Sequence, residues 1–236
     1  MSIEIIFTDD TAQAIMKKDH DLLDSLTNLK KPILHIYHWK NPSITYGHFI
    51  KIENMLQLQE VDNLKIDLAK RPTGGGVIFH LYDYAFSFLM PSQRAEYSIN
   101  PLDNYSFVNQ IVHRAITPFI ENKNLNFLEN NPEDKTLAGN FCMAKPTIYD
   151  LMVDHKKIVG AAQRNKKQGY LHQGSIALQM PAKSLLNKIL KDSSNVSDKM
   201  NHFTHGILDE YSSEKALAAL REEVKSSLID AFQSTF

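Results

Sequence analysis

The chain has one cysteine, Cys142, in 236 residues, and that scarcity excludes an internal disulfide framework. A lone thiol fits a reducing compartment, and it is either a small buried hydrophobe or a group kept for its chemistry. Neither sign of charge is in surplus. The formal net charge of −1 offers no basic footprint for a nucleic-acid partner. Runs of like charge long enough to read as interaction tails are lacking too. No apolar run approaches the roughly 20 residues of a bilayer span. The opening residues Met1 to Asp10 lack a basic start and carry acidic breaks, so no secretory leader is expected. These absences predict a cytoplasmic protein with neither a nucleic-acid nor a membrane partner.

Glycine is also sparse, at nine residues, yet three of them are consecutive in Lys70-Arg71-Pro72-Thr73-Gly74-Gly75-Gly76-Val77-Ile78-Phe79-His80. Without Cβ atoms such a segment reaches φ > 0 and can present successive N–H groups to an anion or a carbonyl oxygen. A plain turn between strands is the competing reading. A P-loop is excluded, because no Gly-Lys-Ser/Thr follows and the downstream Val77-Ile78-Phe79 is strand-like.

The remaining pattern is α+β, an antiparallel-rich mixed sheet flanked by helices. A short opening strand precedes a helix over Thr11–Leu23, with Asp9, Asp10 and Thr11 as cap residues. Strands are predicted over Ile33–Trp39, Pro42–Phe49 and Leu64–Leu68, with a short helix over residues 51–62. Phe79–Met90 reads as a central strand pair, Pro101–Asn122 as a long amphipathic helix, and residues 129–135 as a surface loop. Tyr149–Val153 and Lys157–Gln163 flank a tight turn, Asp154-His155-Lys156, and a further strand covers Tyr170–Met180. The remainder is predicted helical, its last helix starting near Ser212-Ser213 and burying Leu217, Leu220, Val224, Leu228 and Ala231. No linker divides the chain, so residues 1–236 read as one domain with a core over 33–180 and a helical part over 181–236.

A second unusual run begins at the cysteine. Gly160-Ala161-Ala162 follows the apolar pair Ile158-Val159, and a strand of small residues lets an elongated apolar ligand lie against the backbone. Lys157 precedes it. Pointing into the same groove, its ammonium would sit over the polar end of that ligand; spacing alone favours a solvent-facing lysine.

Taken together, these motifs resemble the catalytic domain shared by lipoate–protein ligases, octanoyltransferases and biotin–protein ligases. Arg71 to His80 resembles the pattern Arg-Arg-x-Ser/Thr-Gly-Gly-Gly/Arg-Ala-Val-x-His, Lys157 to Arg164 resembles Lys-Ile-x-Gly-Ser-Ala-x-Arg, and His172-Gln173-Gly174-Ser175 resembles a His-Gly-Ser/Thr element. The strand Tyr37-His38-Trp39 and Ile44-Thr45-Tyr46-Gly47 match the family's opening strands. The second motif favours the lipoate/octanoate branch over biotin. The resemblance implies that Arg71, Gly74, Gly75, Gly76, His80, His172 and Gly174 bind substrate, that Gly160 and Ala161 floor an acyl tunnel, and that Lys157 polarises the acyl carbonyl. His80 reads equally as a satisfied core histidine. Lys70, Leu81 and His155 depart from the pattern, and His is among the better tolerated residues at φ > 0.

Cys142 decides the reaction class. The resemblance extends to an octanoyltransferase subfamily whose nucleophilic cysteine is followed by proline at +4, Ser/Thr at +5 and tyrosine at +7; here these are Pro146, Thr147 and Tyr149. That implies transfer from acyl carrier protein, without a cofactor, to the lysine of a lipoyl-domain protein such as glycine cleavage H protein or a 2-oxoacid dehydrogenase E2. The alternative is a ligase that activates free lipoate with ATP and Mg²⁺, favoured by glycine at Gly76 and by the strand Phe86-Ser87-Phe88. A chain of this length is expected to lack the separate C-terminal domain of many ligases. A non-catalytic acyl-binding homologue is the third reading.

Overall fold

The computed structural model describes residues 2–120, 123–128, 141, 148, 150–191, 193–208 and 212–236. Two sheets organise these residues. The larger has seven strands in the order β1-β2-β6-β10-β9-β8-β7. These are β1 (Glu4–Asp10), β2 (Ile33–Trp39), β6 (Asp83–Pro91), β7 (Leu125–Phe127), β8 (Leu151–Val153), β9 (Lys156–Lys166) and β10 (Gly169–Ala177). Its β1–β2 pair is parallel and its other described pairs are antiparallel. The smaller sheet sets β3 (Ser43–Tyr46) between β4 (Asp67–Lys70) and β5 (Val77–His80). The expected α+β class and antiparallel-rich mixed sheet are therefore present.

Among the described residues six helices cover the sheets: α1 (Ala12–Ser25), α2 (Leu58–Asn63), α3 (Pro101–Ile116), α4 (Lys183–Ile189), α5 (Ser193–Phe203) and α6 (Glu214–Gln233). Their boundaries follow local chemistry. Thr11 accepts from the Ala14 N–H, Ser213 from Ala216, and Asn100 from Leu102 ahead of a proline in the first turn. Helices α3 and α6 lie over one face of the large sheet, where Val108, Ile111, Val112, Leu217, Val224 and Phe232 join Phe86, Phe88 and Tyr170 in one core. Helix α1 lies over the opposite face. The small sheet shares a second core with α4 and α5, through Ile44, Phe79, Leu186 and Met200.

Three expectations need correction. Residues 79–90 are not a strand pair. The turn at Leu81-Tyr82 sends β5 into the small sheet and β6 into the large one, because both edges of β6 are taken, by β2 and β10. The helix expected over 51–62 is a short 3₁₀ turn, Ile52–Asn54, followed by the six-residue α2. Helix α3 stops at Ile116, where the chain tightens into a 3₁₀ turn containing Pro118, instead of running to Asn122. The surface loop expected over 129–135 lies outside the described residues. The hairpin turn is as expected: Asp154 and His155 hold φ of 48° and 67°, a pair of positive values that matches the twist of the flanking strands. Among the described residues no helix is long and apolar enough to cross a membrane.

Between α1 and its sheet face lies a buried carboxylate, Asp19, with no solvent exposure. Its Oδ1 accepts from Ser87 Oγ at 2.6 Å and His35 Nδ1 at 2.7 Å, and its Oδ2 from Gln173 Nε2 at 2.6 Å and the Tyr37 hydroxyl at 2.7 Å. Burial, then the neighbouring Asp19 charge, holds the Tyr37 phenol well above its ordinary range, so Tyr37 stays a donor. Replacing Asp19 with alanine strands four polar groups in a dry layer. We expect Asp19→Ala to lose about 3–5 kcal/mol of stability, read from the urea midpoint, as for removal of one partner from a buried ionic network; a loss below about 1 kcal/mol would contradict this account of the layer.

Candidate active site

The glycine run forms a loop held from below. Arg71 is buried, and its guanidinium turns inward: Nη2 donates to the carbonyls of Gly76 at 2.6 Å and Gly74 at 3.2 Å, while Nη1 donates to Thr45 Oγ1 at 2.8 Å. Gly75 sits at φ +85°, in the region that favours glycine. Gly47 on the neighbouring segment is equally constrained, since a Cβ there would come within 2.0 Å of the Gly75 carbonyl oxygen. At the start of the loop, Thr73 donates to Gln173 Oε1 at 2.6 Å, linking it to Asp19. The resemblance makes Arg71 a substrate ligand; in the structure its Nη2 also shapes the loop.

The loop lies on β9. An added Cβ on Gly75 would stand 3.6 Å from the Ala162 Cβ, and Arg164 Nη1 donates to the Pro72 carbonyl at 2.9 Å. Gly160, Ala162 and Arg164 alternate onto this face, opposite Ser175, Gln173 and Leu171 of β10. Ala161 falls on the other face, paired with Gly174. Its carbonyl accepts from the Tyr105 hydroxyl at 2.8 Å. Gly174 makes room for a ring: a Cβ there would meet Phe86 Cε1 and Cζ at 2.5 Å.

Lys157 reaches the loop face through a bulge. Leu151 pairs with Val159 but Met152 pairs with Lys157, so Ile158 is an extra residue. Ile158 and Val159 consequently both enter the main core, which regular alternation forbids. Lys157 joins Met152 on the side away from that core, the side on which Ala162 meets Gly75. The solvent-facing alternative fails: the Lys157 side chain is 1% exposed, and its ammonium lies 2.7 Å from Asp150 Oδ2, itself fully buried. Sequence reasoning misses Asp150 and Tyr105. Tyr105 reads as core at helical spacing, and an isolated aspartate before a hairpin carries no signal of its own.

His80 belongs to a polar chain. Arg71 donates to the Thr45 hydroxyl, which leaves the Thr45 proton for His80 Nε2 at 2.7 Å; His80 Nδ1 then donates to Asp83 Oδ2 at 2.8 Å. Ser175 also donates to that oxygen, at 2.6 Å. The ring stacks on Trp39 with centroids 4.4 Å apart. Where β2 and β6 stop pairing beyond Ile36 and Phe86, a cleft of about 690 Å³ opens beside His80, lined by Trp39, Tyr82, Asp83 and Arg221.

His172 points into the α3 side, fully buried beside Tyr105 and Phe86. The Gln163 amide meets its Nδ1 at 2.9 Å and also spans the Pro101 carbonyl and Tyr105 N–H. Nε2 has no partner among the described residues, and burial pulls the imidazole down from 6.5 to about 3. Cys142, with Pro146, Thr147 and Tyr149, lies outside the described residues.

The model of the lipoyl protein ligase A/B catalytic domain matches residues 11–233. The chain belongs to that family. Curated relatives include octanoyltransferase LipM of Carboxydothermus hydrogenoformans, 24% identical over 221 residues, covering 91% of this chain and 80% of the relative. Octanoyltransferase LipM of Clostridioides difficile is 25% identical over 213 residues, covering 87% of this chain and 77% of the relative. Among solved structures, a putative lipoate protein ligase from T. acidophilum with bound lipoic acid superposes with a TM-score of 0.70 at 22% identity, covering all of this chain and 85% of its own. A lipoate-protein ligase A bound with ATP gives the same TM-score, identity and coverage. An archaeal bipartite lipoate protein ligase and its E2 lipoyl domain, again from T. acidophilum, reaches 0.72 at 20% identity, covering all of this chain and 84% of its own.

His172 gives a pH signature. It binds fewer protons folded than unfolded between about pH 6.5 and 3, so its contribution is full above 6.5 and declines as pH falls through that window. Between pH 6.5 and 5 wild type should lose about 2 kcal/mol more than His172→Gln, at ~1.4 kcal/mol per pH unit. Equal shifts of the urea midpoint in the two proteins would refute this.

Proposed function

We infer that this chain transfers an octanoyl group from the thioester of an acyl carrier protein to the lysine of a lipoyl-domain acceptor, with Cys142 as the nucleophile. The observation that carries the reading is the buried ammonium of Lys157, turned by the bulge onto the face where Gly75 lies on β9. A cation held in a dry site stabilises negative charge developing on an acyl oxygen far better than one in water. The relatives named octanoyltransferase, matched over most of both chains, support this acyl chemistry, and the T. acidophilum ligase studied with an E2 lipoyl domain supports the acceptor class.

In the first step the Cys142 thiolate attacks the donor thioester, the carbonyl–sulfur bond to the carrier breaks, and the carrier's thiol leaves as the new enzyme thioester forms. In the second, the acceptor amine attacks that thioester, giving an amide and returning the cysteine, with the amine proton lost. Thioester exchange is close to balanced and amide formation is downhill, so no nucleotide is needed. Gly74, Gly75 and Gly76 would let the acyl group approach the backbone, Gly160 would floor its path, and Arg71 would shape the loop that does so. Lys157, as a cation near the nucleophile, would favour the thiolate.

A ligase is the second reading, because the superposed structures include one bound with ATP. Two experiments separate them. Octanoyl–acyl carrier protein should modify a lipoyl domain without nucleotide; modification that requires free lipoate, ATP and Mg²⁺ would identify a ligase instead. Intact mass should show one octanoyl adduct on the enzyme, lost to hydroxylamine, and Cys142→Ser should retain the fold while cutting transfer at least 100-fold, in the range for loss of an activated nucleophile. Full activity in Cys142→Ala would exclude the covalent route.

A further inference from the structure

We propose that Asp150 is a positioning residue for acyl transfer: it keeps Lys157 charged and fixes the direction in which its ammonium points. This rests on the reading of Lys157 as the group that meets the acyl carbonyl. Both members of the pair are buried, at 1% and 0% exposure, and 2.7 Å apart. A buried ion pair contributes little net stability compared with an apolar pair of the same volume, so stability does not explain its presence. Its chemical effect is specific. Burial alone favours the neutral amine, and a contacting carboxylate reverses that preference.

The surroundings hold each end of the pair. The Tyr105 hydroxyl from α3 stands 3.3 Å from Asp150 Oδ1, and the Asp150 carbonyl accepts from the Leu128 N–H at 2.9 Å. The main chain of Lys157 is fixed by the bulge opposite Met152 and by the His205 N–H, which donates to its carbonyl at 2.8 Å. The segment after α5 thus reaches Lys157 through backbone, with Thr204 bridged beside it. The titratable groups near Lys157 on these elements include Asp150, the Tyr105 phenol beside that carboxylate, and His205, whose ring turns to Lys123 at 3.2 Å. With the root and tip of the side chain both held, the charge of Lys157 sits at a fixed point. A cation preorganised in this way stabilises charge developing on an acyl oxygen without moving to meet it.

The test compares wild type, Asp150→Asn and Asp150→Glu in octanoyl transfer over a pH series. Asp150→Asn should lower kcat about 10- to 100-fold, somewhat less than the loss of an oxyanion donor itself, with KM for the acyl donor changed less than about 3-fold. Its alkaline limb should move to lower pH by about one unit or more, because the lysine sheds its proton earlier. Asp150→Glu should return the limb toward that of wild type. An Asp150→Asn enzyme with an unchanged kcat and alkaline limb overturns the proposal. ¹⁵N-NMR of lysine ammonium groups supplies a readout independent of turnover: wild-type Lys157 should give a slowly exchanging signal, assigned by its loss in Lys157→Met. A signal exchanging as fast as those of surface lysines overturns the proposal even if Asp150→Asn does not fold. If wild type transfers no acyl group, the functional reading fails by itself, and the NMR arm still judges the ion pair.

Discussion

The environment of the glycine loop depends on one carboxylate being surrounded by donors. Asp19 accepts four hydrogen bonds in a site without solvent, and bonds to a charged acceptor are each worth about 1.5–3 kcal/mol, roughly twice a neutral one. The donors come from β2, β6 and β10, so a single side chain on α1 fixes the helix against three strands. Gln173 spends one end of its amide on Asp19 and the other on Thr73, and thereby carries that constraint to the first turn of the loop. Arg71 supplies the second hold, from beneath. A loop rich in glycine would otherwise carry a large conformational entropy into the folded state; between these two anchors it has little left.

The two faces of the large sheet are consequently built by different chemistry. On the α3 and α6 side, Phe86, Phe88, Tyr170 and Ile176 make an apolar layer in which His172 is the exception, kept neutral by burial. On the α1 and loop side, Ser87, Gln173, Ser175, Asp83 and His35 are tied into hydrogen-bonded chains across strands. Strand β10 is buried along its whole length as a result, although its sequence is not an apolar run. Buried polar groups need partners, and here interlocking residues of neighbouring strands supply many of them.

Much of this is legible in the sequence, where local rules decide the outcome. Strand β2, the Thr11 and Ser213 caps, and the hairpin around His155 follow from spacing, side-chain chemistry and turn preference. The glycine run and the small residues of β9 also mark two segments that the fold brings together. What escapes is long-range. Asp19 looks like a solvent-facing residue in mid-helix until three strands arrive over it. Gln173 is an unremarkable amide inside a His-Gly-Ser element, and its two partners are distant in sequence. Arg71 reads as a substrate ligand because a cation beside glycines suggests an anion site; its bonds to the loop's own carbonyls carry no local signal. The adjacent apolar pair Ile158-Val159 is the visible trace of the bulge that turns Lys157, but adjacency alone does not say which residue is extra.

The separation between the loop and its anchors bears on the order in which the protein becomes competent. Thr73 bonds a residue 100 positions later, and Asp19 one 154 positions later. During synthesis the glycine segment leaves the ribosome long before β10 exists, and helix α1 waits longer still for the amide that completes its polar shell. Contacts of such sequence separation form late, after loop closure has been met elsewhere in the chain. A nascent chain that ends before Gln173 has the glycine motif in full and no means of holding it still. Ordering of the glycine loop and completion of the central sheet are therefore one event, and a partly made polypeptide has no half-formed loop to offer.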